Sequence, residues 1–189
     1  MTPTPRLSRH ILLLGLRASG KTTVAQALAA RLGVFASDLD DRTRGRLGHA
    51  SVREAFARAG EAAFRLAEAE ALAEALAEEP PMVLALGGGT PTAPGADEAI
   101  ERARAAGLAW TVFLDPPLGL LADRLSHDAG DRPSLTGLGV VDEIESIAAA
   151  RRPRYAALAD LVVASSEAPD AIASIICGSA AAAGVARPA

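Results

Sequence analysis

The segment that most limits what this chain can fold into is GLRASGKT at residues 15–22, which has the pattern G-x-x-x-x-G-K-T. It follows the apolar run HILLL and precedes TTVAQALAARL, in which Val24, Leu28 and Leu32 recur every fourth residue. A strand, a glycine-rich turn and a helix in this order make a phosphate-binding loop, because the backbone N–H groups and the helix dipole converge on phosphate oxygens. The segment therefore predicts a site for a nucleoside triphosphate, and ATP is the expected nucleotide.

Residue types within this loop predict which groups contact ATP. Lys21 would reach the β- and γ-phosphates, and the hydroxyl of Thr22 would bind Mg²⁺. The predicted ATP-binding residues of the loop are Ala18, Ser19, Gly20, Lys21, Thr22 and Thr23. The alternative is a tight turn with an exposed lysine. A switch GTPase would also need a guanine-reading N-K-x-D, which the sequence lacks, so a small-molecule kinase is the favoured class.

Short apolar runs alternate with helical segments along the chain. The strand candidates are HILLLG, PMVLALG, AWTVFLD and DLVVAS, and GVFAS is a weaker one. The first helix is expected to end at Gly33, and a long acidic helix over 60–79 is closed by Pro80 and Pro81. Such alternation predicts an α/β protein whose parallel sheet is covered by helices on both faces.

Composition narrows the class of partner and compartment. The 189 residues fit one domain, and a net charge of −4 argues against nucleic acid as a partner. The single cysteine, Cys177, cannot form an internal disulfide, which favours the cytoplasm. The apolar run before Gly15 is too short to span a membrane. No long apolar edge or heptad requires a second copy, so a monomer is expected.

Carboxylates follow the weaker strand candidate in SDLDD. Asp38 and Asp40 would point the same way if this segment is extended, since side chains alternate between faces. In a kinase one such carboxylate can orient hydrated Mg²⁺ while the other accepts a proton from the attacking hydroxyl. A solvated turn is the alternative.

Four later segments place arginines and glycines where an acceptor could bind. They are GEAAFR with Arg65, the triple glycine Gly87–Gly89, DRPSLTG with Arg132, and RRPRY with Arg151. Guanidinium groups bind a carboxylate in bidentate fashion, and glycines let the backbone approach a ligand. Two alternatives stay open. Arg65 could pair with glutamates of its own helix, and Arg151 could belong to a solvated basic cluster.

Together these motifs resemble the shikimate kinases, in that family's order and over nearly the whole chain. The resembling motifs are the P-loop, D-x-D, G-E-x-x-F-R, G-G-G, R-P-x-L and R-x-P-x-Y. The resemblance implies a P-loop fold of the nucleoside-monophosphate-kinase type with a central parallel sheet of five strands. It also implies phosphoryl transfer from MgATP to the 3-hydroxyl of shikimate, in the pathway to aromatic amino acids.

The resemblance further assigns roles to residues of this chain. Asp38 and Thr22 correspond to the metal side, and Asp40 corresponds to the carboxylate that binds the substrate hydroxyl and acts as base. Arg65, Arg151 and the Gly88 backbone correspond to the shikimate site. Arg132 corresponds to a lid arginine that closes over the ATP phosphates. The expected catalytic residues are therefore Asp40, Lys21 and Arg132.

The same resemblance predicts regions and leaves two rivals. A helical substrate-binding region is expected at about 38–68, a lid at about 126–139, and flexible tails at 1–8 and 180–189. Many family members have glycine at the position of Ala18, and we expect an ordinary backbone angle there. Residues 42–56 match the family loosely, so that a gluconate kinase-like enzyme is one rival. The other is a ligand-sensing domain without turnover.

Overall fold

A computed structural model describes residues 6–127 and 140–187 of the chain. Within these ranges the strands are β1 (Arg6–Leu7), β2 (His10–Leu14), β3 (Ala36–Asp38), β4 (Val83–Ala85), β5 (Ala109–Leu114), β6 (Leu161–Val163) and β7 (Ala186–Arg187). The helices are α1 (Lys21–Leu32), α2 (Leu39–Arg46), α3 (Val52–Ala77), α4 (Ala96–Ala105), α5 (Leu118–His127), α6 (Val140–Leu158) and α7 (Pro169–Ala182). A 3₁₀ turn covers Thr90–Thr92.

Five parallel strands form the central sheet in the order β3-β4-β2-β5-β6. All residues of β2 and β5 are buried, because helices cover both faces of the sheet. Leu12 and Leu14 pack with residues of α3, α4, α5 and α6 on one face, whereas Ile11 and Leu13 pack with α1 and α7 on the other. The predicted α/β class and the parallel five-stranded sheet are confirmed.

The helix ends follow local signals in the sequence. Helix α1 ends at Leu32, and Gly33 takes the left-handed conformation (φ 65°) of a C-terminal cap, as predicted. Helix α3 starts earlier than the sequence indicates, because Ser51 caps it by accepting a hydrogen bond from the Glu54 N–H at 3.1 Å. It is broken at Gly60, whose φ is 81°. No helix within residues 6–127 and 140–187 is long and apolar enough to cross a membrane.

Short strands near the two ends of the described residues pair with each other, within the segments 1–8 and 180–189 that the sequence predicts as flexible tails. Strands β1 and β7 are antiparallel, with Leu7 opposite Ala186. Helix α7 continues to Ala182, and Ala180 and Val185 are fully buried in the core beneath α1. The alanine-rich composition of this segment hides the pairing, because small side chains give no clear apolar pattern.

Candidate active site

The carboxyl ends of the parallel strands bring the motifs to one edge of the sheet. The P-loop follows β2, the aspartates follow β3, and the triple glycine follows β4. Strand β4 pairs with both β2 and β3, with Ala85 opposite Leu13 on one side and Asp38 on the other. Ligands of open parallel sheets bind at this edge. Residues far apart in sequence therefore surround one cleft.

The P-loop has the backbone geometry that phosphate binding requires. Gly15 has φ 152°, and a Cβ there would lie 2.6 Å from Ser19 Oγ and 2.7 Å from the Leu114 carbonyl oxygen. Gly20 caps the N-terminus of α1 with φ 90°. Lys21 Nζ donates to the carbonyls of Gly15 at 3.0 Å and Leu16 at 2.8 Å. The lysine ammonium thus lies over the loop, beside the positive end of α1.

The other predicted loop residues divide between the interior and the mouth of the site. Ser19 is 1% exposed and lies within the loop, while Thr23 is exposed in the first turn of α1. Ala18 is a correction to the sequence analysis, since its φ is 60° and not an ordinary angle. Its carbonyl accepts a hydrogen bond from Arg124 Nη1 at 3.0 Å. Arg124 is a cation at the phosphate loop that the sequence analysis missed, because helix α5 bears no motif of its own.

Replacing Ala18 by glycine is expected to raise the free energy of unfolding by about 0.5 kcal/mol. A left-handed alanine costs about 1–2 kcal/mol, and glycine's greater freedom in the unfolded chain offsets about 0.4–1 kcal/mol of that relief. Chemical denaturation would measure the change. The matched control is Ala30→Gly, at an exposed position of α1, which should lower stability by about 1 kcal/mol. A loss of stability in both variants would contradict the argument.

Thr22 and Asp38 form the predicted metal side of the site. Thr22 Oγ1 donates to Asp38 Oδ2 at 2.6 Å, so two oxygens suited to Mg²⁺ lie side by side at the end of the P-loop. The geometry of the D-x-D segment differs from the extended pair expected from the sequence. Asp38 ends β3 and caps α2 by accepting from the Asp40 N–H at 2.9 Å, and Asp40 lies in the first turn of α2. The segment is therefore an ordered helix start and not a solvated turn.

The triple glycine provides a surface against which functional side chains pack. A Cβ on Gly87 would lie 2.7 Å from Asp40 Oδ1 and 2.6 Å from Glu68 Oε1. A Cβ on Gly89 would lie 2.6 Å from Arg65 Nη2, and one on Gly88 would lie 3.1 Å from the backbone nitrogen of the P-loop residue Arg17. Glycine is required here because any side chain would displace the groups that the turn brings together.

Arg65 pairs with glutamates of its own helix, which is one of the two interpretations that the sequence left open, and it also lies against the glycine turn. Its Nη1 pairs with Glu68 Oε2 at 2.7 Å and its Nε with Glu61 Oε1 at 3.6 Å, so it does bind glutamates of its own helix. It also abuts Gly89, and its guanidinium lies 5.6 Å from the ring centroid of Phe56. The side chain is 17% exposed. Arg65 is thus held in place at the edge of the cleft with a guanidinium edge against the glycine turn.

Thr90 is a site residue that the sequence did not indicate, and Glu68 was expected only as a possible partner of Arg65 on the same helix. The Glu68 side chain is 1% exposed, and its Oε1 accepts a hydrogen bond from Thr90 Oγ1 at 2.5 Å. A charged side chain this buried is rare unless paired, and here the partner is Arg65. The available signal was the spacing of three between Arg65 and Glu68, which is also common on solvated helices.

Arg151 joins the same turn from α6. Its Nη1 donates to the Gly88 carbonyl at 2.8 Å, and the Tyr155 hydroxyl donates to that same oxygen. Burial raises the pKa of Tyr155 to about 12, so the hydroxyl keeps its proton at neutral pH. Neighbouring arginines are paired elsewhere, Arg152 with Asp115 at 2.8 Å and Arg154 with Asp97 at 2.6 Å. The basic run therefore contains three separately bound guanidinium groups.

Arg132 and nearly all of the expected lid, residues 128–139, lie outside the described residues. Among the predicted residues that are described, the fold brings together the P-loop, Asp38, Asp40, Arg65, Gly88 and Arg151. A P-loop that faces carboxylates and guanidinium groups across a glycine turn defines a phosphotransferase that acts on a small acceptor, which is the P-loop kinase class.

Comparisons with known proteins identify the family within that class. The sequence profile of shikimate kinase matches residues 17–180. The shikimate kinase of Rhodopirellula baltica is 40% identical over 156 residues, which cover 81% of this chain and 80% of the relative. The structure of the shikimate kinase from Acinetobacter baumannii in complex with shikimate superposes with a TM-score of 0.83 at 26% identity, covering 93% of this chain and 94% of that one. The chain belongs to the shikimate kinase family.

A solved structure from one rival class, the gluconate kinases, is similar to this chain in fold only. A gluconokinase from Sinorhizobium meliloti superposes with a TM-score of 0.59 at 17% identity, covering 94% of each chain. At that identity the likeness reflects the common P-loop scaffold and says nothing of the acceptor. Family membership thus favours the reading made from the ordered motifs over the gluconate kinase-like alternative.

Proposed function

We propose that the protein transfers the γ-phosphoryl group of ATP to the 3-hydroxyl of shikimate through the residues described above. Lys21 binds the phosphates from the P-loop, Asp40 receives the proton of the hydroxyl, and Arg65 and Arg151 bind the shikimate carboxylate. The Gly88 backbone faces the same acceptor. The observation that carries the proposal is the glycine turn, which packs against Asp40, Arg65 and the P-loop at once and accepts a hydrogen bond from Arg151.

The charges of the cleft match the two reactants. Shikimate carries a carboxylate at one end of its ring and hydroxyls at the other, and a planar guanidinium binds a carboxylate through two parallel hydrogen bonds. Arg65 and Arg151 approach the glycine turn from α3 and α6, while Asp40 lies on the side of β3 and the P-loop. An acceptor with its carboxylate between the arginines would therefore direct a hydroxyl towards Asp40 and the phosphate loop.

The proposed step is an in-line displacement. The acceptor oxygen forms a bond to the γ-phosphorus as its proton passes to Asp40, and the bond between that phosphorus and the β,γ-bridging oxygen breaks to release ADP. Thr22 and Asp38 would hold Mg²⁺, which when bound offsets phosphate charge. Arg132, on the proposed lid at about 126–139, would neutralise the transferring group and exclude water.

The proposal extends to the setting in which the enzyme works. It acts as a cytoplasmic monomer with Mg²⁺ as its metal, and the substrate-binding region is the stretch 38–68. The single cysteine and the acidic composition support a reducing compartment without nucleic-acid partners.

Release of ADP from MgATP, measured with shikimate and separately with gluconate and quinate, tests the proposal. Strong stimulation by shikimate alone is expected. Stimulation by gluconate would assign the gluconate kinase-like alternative. Tight shikimate binding without ADP release would indicate a ligand-sensing domain without turnover. No stimulation by any of the three compounds would refute shikimate as the acceptor.

A further inference from the structure

We infer that Thr90 is a positioning residue for the acceptor carboxylate, acting through Glu68 on Arg65. This inference rests on the proposed function, since it assumes that Arg65 binds the carboxylate of shikimate. Thr90 follows the triple glycine directly and belongs to no motif by which the chain resembles its family. Its effect is on specificity and affinity for the acceptor, not on the chemical step.

Thr90 is fixed on the glycine turn and fully buried. Its backbone N–H donates to the Gly87 carbonyl at 3.1 Å, and it begins the 3₁₀ turn. Its residue exposure is 0%, as is that of Glu68, to which its hydroxyl donates. The bond spans 22 residues and joins the turn after β4 to the middle of α3. The hydroxyl therefore links the turn after β4 to α3 by a hydrogen bond between side chains.

The two oxygens of Glu68 have different partners. Oε2 accepts from Arg65 Nη1 at 2.7 Å, and Oε1 accepts from Thr90. This division fixes the rotation of the carboxylate, so that Arg65 Nη1 is engaged by Glu68 while both Nη1 and Nη2 lie against Gly89. Glu68 Oε1 also lies near Asp40 Oδ1, because both approach the position of a Cβ on Gly87. The hydrogen bond that the Thr90 hydroxyl donates to Glu68 Oε1 offsets the repulsion between these two carboxylate oxygens.

Removing the hydroxyl would leave Glu68 Oε1 buried without this donor. A buried carboxylate oxygen that loses a partner turns towards another donor, and the guanidinium of Arg65 already binds the other oxygen of Glu68. Both oxygens would then compete for Arg65, and its second nitrogen would be drawn from the glycine turn. The acceptor carboxylate would then be held less well by Arg65, although Arg151 would still bind it. The P-loop and the ATP site would be unaffected.

The test compares Thr90→Val, which is nearly isosteric but has no hydroxyl, with Thr90→Ser, which keeps it. Steady-state kinetics with purified protein would give the KM for shikimate, the KM for ATP and kcat. Thr90→Val is expected to raise the KM for shikimate about tenfold, with the KM for ATP unchanged and kcat within about threefold. Thr90→Ser is expected to retain the wild-type values.

Thr111→Val is the control for loss of a buried hydroxyl. Thr111 is also fully buried and donates to the Leu158 carbonyl at 2.5 Å, but it lies within β5 away from the glycine turn. The Thr111→Val substitution should lower the melting temperature without changing the KM for shikimate. If Thr90→Val does not fold, Thr90→Ala serves as the second variant, because it removes the hydroxyl without putting a methyl group in its place. The same rise in the KM for shikimate is expected.

Three results would overturn the inference. One is an unchanged KM for shikimate in a folded Thr90→Val or Thr90→Ala protein, with wild-type turnover intact, which would leave the proposed function standing. The second is an equal loss in Thr90→Ser, which would show that packing and not the hydroxyl matters. The third is a wild-type protein that does not phosphorylate shikimate, which would refute both the proposed function and this inference.

Discussion

Replacing Asp40 by asparagine is expected to lower kcat with shikimate by about 10²- to 10⁴-fold, the range typical of a lost general base. Asparagine is nearly isosteric but cannot accept the proton of the hydroxyl. The KM for ATP should change little, because Thr22 and Asp38 are unaltered. The start of α2 should also persist, since its cap uses the backbone N–H of residue 40 and the side chain of Asp38.

Asp41 provides the matched control for this substitution. It is the adjacent acidic residue in the same turn of α2, its side chain is 66% exposed, and it pairs with Arg44 at 2.9 Å on the surface. Asp41→Asn should therefore leave kcat and both KM values unchanged. ADP release measured in parallel for the two variants would separate the role of Asp40 from a general effect of charge. An Asp40→Asn enzyme that keeps more than a tenth of wild-type kcat would argue against Asp40 as the base.

The parallel sheet could be predicted because its strands carry their own signal. Strands β2 and β5 lie in the centre, are buried on both faces, and therefore read as continuous apolar runs. Strand β3 gave a weaker signal since it lies at the edge and pairs over only three residues, Ala36–Asp38. The preceding Phe35 is 77% exposed, so apolar character there does not mark burial.

Site residues that lie in a sequence motif could be predicted, including Arg151 and Gly88, whereas residues that join the site only through a long-range contact could not. The P-loop is a contiguous strand, turn and helix, so its spacing alone places Lys21 and Thr22. The pairing of Glu68 with Thr90 joins residues 22 apart, and that of Arg124 with Ala18 joins residues 106 apart. Neither pair produces a periodic pattern or a motif that could be recognised in the sequence.

The backbone angle of Ala18 shows a different limit of prediction from sequence. Alanine normally avoids positive φ, and an ordinary angle was the natural expectation from residue type. Ala18 nevertheless has φ 60°, and its conformation is accompanied by one long-range contact and one hydrogen bond within the loop. Arg124 binds the Ala18 carbonyl, and the next residue, Ser19, donates its N–H to the Leu16 carbonyl at 3.2 Å. Backbone path thus overrides local preference at a functional loop.

Replacing Arg65 by alanine is expected to raise the KM for shikimate by about 10²- to 10³-fold, with a much smaller change in the KM for ATP. In the proposed function Arg65 binds the acceptor carboxylate; it lies against the glycine turn, whereas the P-loop is held by other contacts. Equal effects on both KM values would contradict its assignment to the acceptor.

The same substitution also removes the partner of Glu68, and this second effect must be separated from the first. A buried carboxylate left without its cation costs about 3–5 kcal/mol, so Arg65→Ala alone should melt at a lower temperature. The double variant Arg65→Ala/Glu68→Gln removes the uncompensated charge and should recover much of that stability. Because the double variant still lacks the guanidinium, its KM for shikimate should stay high. Recovery of shikimate affinity together with stability would instead mean that Arg65 serves only to neutralise Glu68.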